Sequence, residues 1–153
     1  MTPLLLVVGS FVVMEGVSYA THRWVMHGPG MAWHRSHHRQ PEGRLERNDL
    51  FPVCFSVVAI ALFAAASAGA TALWWVALGV TLYGAAYLYV HEVHIHHRLP
   101  APRRSPRYLR WLRDAHRDHH LSGGEPYGML LPLVRDRRRG AIDGTSDVLE
   151  RAR

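Results

Sequence analysis

A chain of 153 residues has room for one domain, and its net charge of +6 comes from 18 basic residues that are all arginine. Those arginines fall only within residues 23–47 and 98–153, with three apolar blocks between and before them, so the basicity follows membrane topology and excludes a nucleic-acid-binding reading. The single cysteine, Cys54, excludes an intrachain disulfide and a thiolate-held iron–sulfur cluster.

The apolar blocks are Pro3 to Ala20, Leu50 to Ala68 and Thr71 to Val90, and none contains an arginine. Each is close to the ~20 residues a helix needs to cross ~30 Å of hydrocarbon. The fold class expected is therefore all-α, an integral membrane helical bundle of about three spans with cytoplasmic and interfacial helices. The first block lacks a positive leader segment, so it reads as a span and not as a cleaved signal. With both arginine segments cytoplasmic, the N-terminus lies outside and the C-terminus inside.

In chain order, the first helix is expected from Pro3 through His22, stopping near Gly28-Pro29-Gly30. A short helix over Trp33 to Gln40 follows, closed by Pro41, and Glu42 to Arg47 forms a charged linker. Asn48 or Asp49 offers an N-cap for the second span. Gly69 breaks the apolar run into a tight hairpin, and the third span continues into His91 to Arg98 before Pro100 and Pro102. Ser105-Pro106 looks like an N-cap followed by proline at the first helical position. Leu109, Leu112, His116 and His119 then form one stripe, with Arg107, Arg110, Arg113 and Arg117 mostly off it, the pattern of a helix lying at the membrane surface. Residues 1–134 form the membrane domain and 135–153 a polar, arginine-rich tail.

Twelve histidines lie in or beside the cytoplasmic segments. His34, His37 and His38 form H-x-x-H-H, and His116, His119 and His120 repeat it. Positions i, i+3 and i+4 share a helix face, so each box directs its imidazoles into a common volume. His22 with His27, and His91 with His96, are spaced H-x-x-x-x-H. Five residues on a straight α-helix are far apart in angle, so either the helix ends between the two members or they serve different metals.

Imidazole suits transition metals and not magnesium or calcium, and a structural zinc uses only about four ligands. Paired boxes therefore favour two ions, with a redox pair of irons preferred over a loosely binding His-rich loop. Adjacent triplets do not fit the isolated axial pairs of a haem.

Other residues carry weaker signals. Glu15, in the first span and seven residues before His22, is placed to hold a ligand imidazole by its other N–H, against the alternative of a protonated or snorkelling side chain. Tyr83, Tyr87 and His91 form a four-residue stripe that could line a substrate path or simply pack helices. Asp49 is explained by helix capping alone.

The stretch HRWVMHGPGMAWHRSHH from His22 to His38, NDLF from Asn48, YGAAYLYVHEVHIHHRLP from Tyr83 to Pro100, and AHRDHH from Ala115 to His120 resembles the bacterial β-carotene hydroxylases of the fatty acid hydroxylase superfamily. The resemblance runs to about Leu133. It implies a membrane di-iron monooxygenase with ligands His22, His27, His34, His37, His38, His91, His96, His116, His119 and His120. His94 and His97 are additional to that pattern, and are read as surface or interfacial residues. Glu92 stands where an aspartate is common, and the Gly123 to Met129 segment departs from the family pattern at a place that can touch substrate. The implied cofactors are two iron ions, replaceable by zinc in a purified sample, with O₂ as cosubstrate. The implied reaction is 3-hydroxylation of a carotenoid β-ring, from β-carotene through cryptoxanthin to zeaxanthin. The implied electron donor is a ferredoxin with its reductase. Hydroxylation or desaturation of a fatty acyl chain or sterol is the alternative within the class, and a non-catalytic metal-binding membrane protein the alternative outside it.

Overall fold

The computed structural model describes residues 2–39, 45–100, 102 and 105–133, and among them there are helices and no strands. Helix α1 (Pro3–Ala20) widens into a π-helical turn over Thr21–Met26. After Gly28-Pro29-Gly30 come a short helix α2 (Met31–His34), a 3-10 turn at Arg47–Asp49 and α3 (Leu50–Ser67). Helix α4 (Leu73–Tyr87) also runs on as a π-helix, over Leu88–Ile95, and α5 (Arg107–Ser122) closes the bundle. Three continuous helical stretches, Pro3–Met26, Arg47–Ser67 and Leu73–Ile95, are long and apolar enough to span a membrane.

α4 is the central span, packed by α1 on one side and α3 on the other. Close approach to α1 depends on Gly79, where an added Cβ would stand 2.0 Å from Ser10 Oγ and 2.4 Å from the Val7 carbonyl. Phe11 meets Tyr83 edge to face across that contact at 5.5 Å, and Phe63 packs on Trp74 at 5.4 Å between α3 and α4. The α3–α4 hairpin turns through Gly69, whose φ of 120° a side chain would oppose.

The bundle is inside-out relative to a soluble one. Leu4, Leu5, Val8, Val12 and Val13 of α1, and Val53, Val57, Val58 and Ile60 of α3, are exposed, as lipid contact requires. The largest fully buried side chains are Leu112, His34, His91, His94 and His119. Exposed Trp24 and Trp33 lie at the histidine end of the spans and Trp74 and Trp75 at the other, which are the levels where indoles favour the membrane interface.

Several local expectations differ from the structure. The helix after Gly30 ends at His34 and gives way to turns, so the expected stretch to Gln40 is not one helix, and Gln40 to Arg44 lie outside the described residues. Asp49 occupies the N-cap of α3 without a side-chain cap bond; its carboxylate instead accepts the Glu46 N–H at 2.9 Å and two bonds from Arg98. Pro106 is itself the N-cap of α5, one residue beyond the expected Ser105. The stripe on α5 holds, with Leu112, His116 and His119 buried. The tail from residue 134 lies outside the described residues.

Candidate metal centre

The two H-x-x-x-x-H pairs are explained by the π-helical turns at the histidine-bearing ends of α1 and α4. A π-turn bonds residue i to i+5 and so stacks positions five apart on one face. The His27 N–H donates to the His22 carbonyl at 3.1 Å, and the His96 N–H to the His91 carbonyl at 2.9 Å. Each pair is thereby brought together, with ring centroids 5.2 Å apart for His22 and His27 and 4.6 Å for His91 and His96. Each π-turn ends between its two members, at Met26 with His27 as C-cap and at Ile95 with His96 as C-cap, so of the two expected alternatives the helix end is the one that holds.

The imidazoles collect into two adjoining groups. Nitrogens of His22, His27, His34, His38 and His119 lie within 4.8 Å of one another, as do those of His37, His96, His116 and His120. His91 joins the second group, its Nε2 being 3.0 Å from His37 Nε2. Each H-x-x-H-H box is shared: His34 and His38 go to the first group and His37 to the second, while His119 goes to the first and His116 and His120 to the second. Spacing identified the boxes, but only the crossing of α2, the two π-turns and α5 decides this division.

The partners of the outer ring nitrogens fix which lone pairs point inward. His22 donates from Nδ1 to the Tyr127 carbonyl at 3.0 Å, His34 to Asn48 Oδ1 at 2.8 Å, and His119 to the Gly124 carbonyl at 2.5 Å. In a neutral imidazole the other nitrogen is then a bare lone pair. His22 Nε2 and His34 Nε2 nevertheless face each other at 3.2 Å, with no proton to share. His120 Nε2 is buried and has no hydrogen-bond partner among the described residues. Converging lone pairs without donors repel, and a transition-metal cation satisfies them. The residues present therefore fit a metal.

Burial first, and then neighbouring imidazoles or, for His96, the Arg98 guanidinium, hold the protonated forms down. His27 and His96 fall to about 4, and His34 also to about 4 although its bond to Asn48 opposes the shift. Burial takes His119 to about 3 and His120 to about 2. At neutral pH these rings are uncharged, the state in which imidazole ligates.

Residues that the sequence had marked for other reasons, Asn48 and Asp49 as caps and Glu92 as a departure from the family pattern, orient the imidazoles. Asn48 is buried and carries the bond to His34. Glu92 accepts the His91 Nδ1 proton at 2.6 Å and is itself held by Arg98 at 2.7 Å, and Arg98 also pairs with Asp49. The signal available in the sequence was only the acidic or amide residue flanking a histidine-bearing turn. Tyr127 lays its ring against His22, His27 and His119 at 5.3, 5.1 and 5.1 Å, so the Gly123 to Met129 segment covers the first group.

Glu15 does not hold an imidazole. Its carboxylate accepts the Tyr83 hydroxyl at 2.7 Å and the N–H groups of Met129, Leu130 and Leu131 at 3.0, 3.1 and 2.8 Å. Seven residues along a helix is about 10 Å of rise, so a shared face does not bring the side chains together. Tyr83 is buried against α1 with its hydroxyl committed to Glu15, the arrangement of a helix-packing residue. Tyr87 is half-buried and stacks on His91 at 4.8 Å. His94 is buried, not interfacial, and donates to the Leu109 carbonyl at 3.0 Å, tying the π-turn to α5; His97 is exposed.

Comparison with known proteins agrees with this geometry. The fatty acid hydroxylase family model matches residues 7–140. The chain is 45% identical over 138 residues to a protein of Paracoccus sp. (strain PC1) named beta-carotene hydroxylase, covering 88% of this chain and 84% of that one. It is 47% identical over 123 residues to a protein of the same name from Pseudescherichia vulneris, covering 78% and 69%. A chloroplastic beta-carotene 3-hydroxylase of Haematococcus lacustris is 37% identical over 137 residues, covering 84% of this chain and 42% of that one. No solved structure matches the chain. A family model spanning most of the chain, together with relatives at this identity, establishes that the chain belongs to the fatty acid hydroxylase family.

Proposed function

We propose that this protein is a membrane monooxygenase that hydroxylates the β-ring of a carotenoid at carbon 3, taking β-carotene to cryptoxanthin and then to zeaxanthin. The observation that carries the reading is the convergence of ten imidazoles in two adjoining groups at one end of three spans, in a chain 44–47% identical to bacterial proteins named beta-carotene hydroxylase. His22, His27, His34, His38 and His119 would hold one ion, and His37, His91, His96, His116 and His120 the other. A pair of irons bound there supplies activation of O₂ for insertion of hydroxyl into a ring C–H bond.

The chain's own residues do the rest. Asn48, Glu92 and the Tyr127 and Gly124 carbonyls keep the inner nitrogens unprotonated. Burial of His34, His91 and His119 excludes water from the ligands. Placing the groups where the spans leave the bilayer lets a hydrocarbon ring approach laterally from lipid while the ligands stay outside it. With one cysteine, Cys54, exposed on α3, the chain has no iron–sulfur cluster of its own, and a ferredoxin with its reductase is the donor this reading requires. Zinc can occupy the same imidazoles in an overexpressed sample without supporting turnover.

Expressed with iron, oxygen and an electron donor in cells that accumulate β-carotene, the protein yields the monohydroxylated and then the dihydroxylated pigment by chromatography. If metal-loaded, reducible protein leaves β-carotene and cryptoxanthin unchanged, the carotenoid reading fails and a fatty acyl or sterol substrate takes its place. The arginine distribution supports an N-terminus outside, with the histidine groups and C-terminus cytoplasmic. Topology reporters fused after Arg47 and at Arg153 are expected to read cytoplasmic, and one near Ser67 the opposite; a periplasmic C-terminus contradicts the three-span arrangement.

A further inference from the structure

We propose that the two imidazole groups are electrically unequal metal positions, and that Glu92, clamped by an Arg98 that also pairs with Asp49, makes the second group the position that better stabilises the more oxidised ion. The inference rests on the ligand reading above and adds an order of reduction to it.

The asymmetry lies in what accepts the outer ring protons. In the first group the acceptors are all neutral: the Tyr127 carbonyl, the Asn48 amide and the Gly124 carbonyl. In the second group His91 donates to a carboxylate, Glu92, at 2.6 Å, and the Glu46 carboxylate stands 3.6 Å from His37 Nδ1. Asp49 adds a third carboxylate behind them, against the single guanidinium of Arg98, which bridges Asp49 and Glu92 at 2.7 Å each. Near the first group, Glu125 is matched by Arg23 at 2.6 Å. Among the described residues named here, the carboxylates outnumber the guanidinium at the second group and are matched at the first.

A carboxylate draws the Nδ1 proton of His91 toward itself and makes Nε2 a stronger electron donor than an amide or carbonyl partner does. Added negative charge in a buried setting favours the higher cation charge and lowers the potential at which that ion is reduced. Arg98 fixes the Glu92 carboxylate in place, so Glu92 acts through His91 as a positioning residue. Starting from two ferric ions, one electron from dithionite then goes to the first position and leaves the ferric ion at the second. A second electron completes reduction, and no bond to a substrate forms or breaks in either step.

The test is a stepwise dithionite titration of the iron-loaded, detergent-purified protein, followed by Mössbauer and paramagnetic resonance spectroscopy. The unaltered chain is expected to show two separate one-electron potentials with a populated mixed-valence form between them. Glu92→Gln keeps an acceptor for His91 but removes the charge, raising the lower potential and cutting the stability constant of the mixed-valence form by on the order of tenfold, equivalent to about 59 mV for one electron. Glu92→Asp retains the charge and is expected to restore the separation. Asn48→Asp places a carboxylate on His34 of the first group and lowers the upper potential, narrowing the gap from the other side, so the test survives if one variant fails to fold. Coincident potentials in the unaltered protein, or a gap that neither Glu92→Gln nor Asn48→Asp moves, overturns the inequality while leaving the two-ion reading intact. A chain that binds fewer than two ions overturns both.

Discussion

Replacing His37 or His119 by alanine is expected to abolish ring hydroxylation and to lower the bound metal. His37 stands within the second group and His119 within the first, and both are buried. Each also touches the other group's members, since the ring of His37 lies 5.5 Å from His34 and that of His119 5.8 Å from His116. Removing either ring leaves a low-dielectric gap lined by lone pairs that no neighbouring donor fills. Loss of an outer partner of a ligand costs about 10–100-fold in metal affinity or activity, and loss of the ligand itself exceeds that. Metal content by elemental analysis and pigment by chromatography decide the matter together. Full turnover with either box broken removes the two-group centre from consideration. His97→Ala, at an exposed position outside both groups, is expected to retain metal and turnover and serves as the control.

The second large effect is at Glu15. Glu15→Ala takes away the acceptor for the Tyr83 hydroxyl and for three consecutive main-chain N–H groups, Met129 to Leu131. A buried donor left without a partner costs about 1–3 kcal/mol. Main-chain donors facing apolar surroundings have no substitute in the bilayer, so the segment is expected to release from α1 and not to rearrange locally. Its release removes the Tyr127 carbonyl from His22 and the Tyr127 ring from three imidazoles. The measurable consequences are a lower unfolding temperature in detergent and faster chymotryptic cleavage around Tyr127 to Leu131, with weakened metal retention. Cleavage and melting that match the unaltered protein exclude this clasp. Gly128 belongs to the same clasp, since a Cβ there would lie 2.7 Å from the Leu131 carbonyl and 3.2 Å from a Glu15 oxygen.

The sequence by itself determined what depends on local composition and spacing. Three arginine-free apolar blocks specify spans because burying an arginine in hydrocarbon is costly, and the observed helical stretches coincide with them. The stripe Leu109, Leu112, His116 and His119 specifies the buried face of α5 because helical period is a property of the chain alone. The ten box and pair histidines were likewise legible as one chemical set. The tertiary structure alone decided how that set divides and what surrounds it. A five-residue spacing does not share a face on an α-helix; the i→i+5 bonds of the two π-turns bring the two rings of each pair together. Glu15 shares a helix face with His22, yet its partners are 68 to 116 residues away in the chain. Asn48, Glu92 and the Tyr127 carbonyl orient ligands by hydrogen bonds whose partners come from other segments or from a turn's curvature, and hydrogen bonds of that kind leave no periodicity in the sequence.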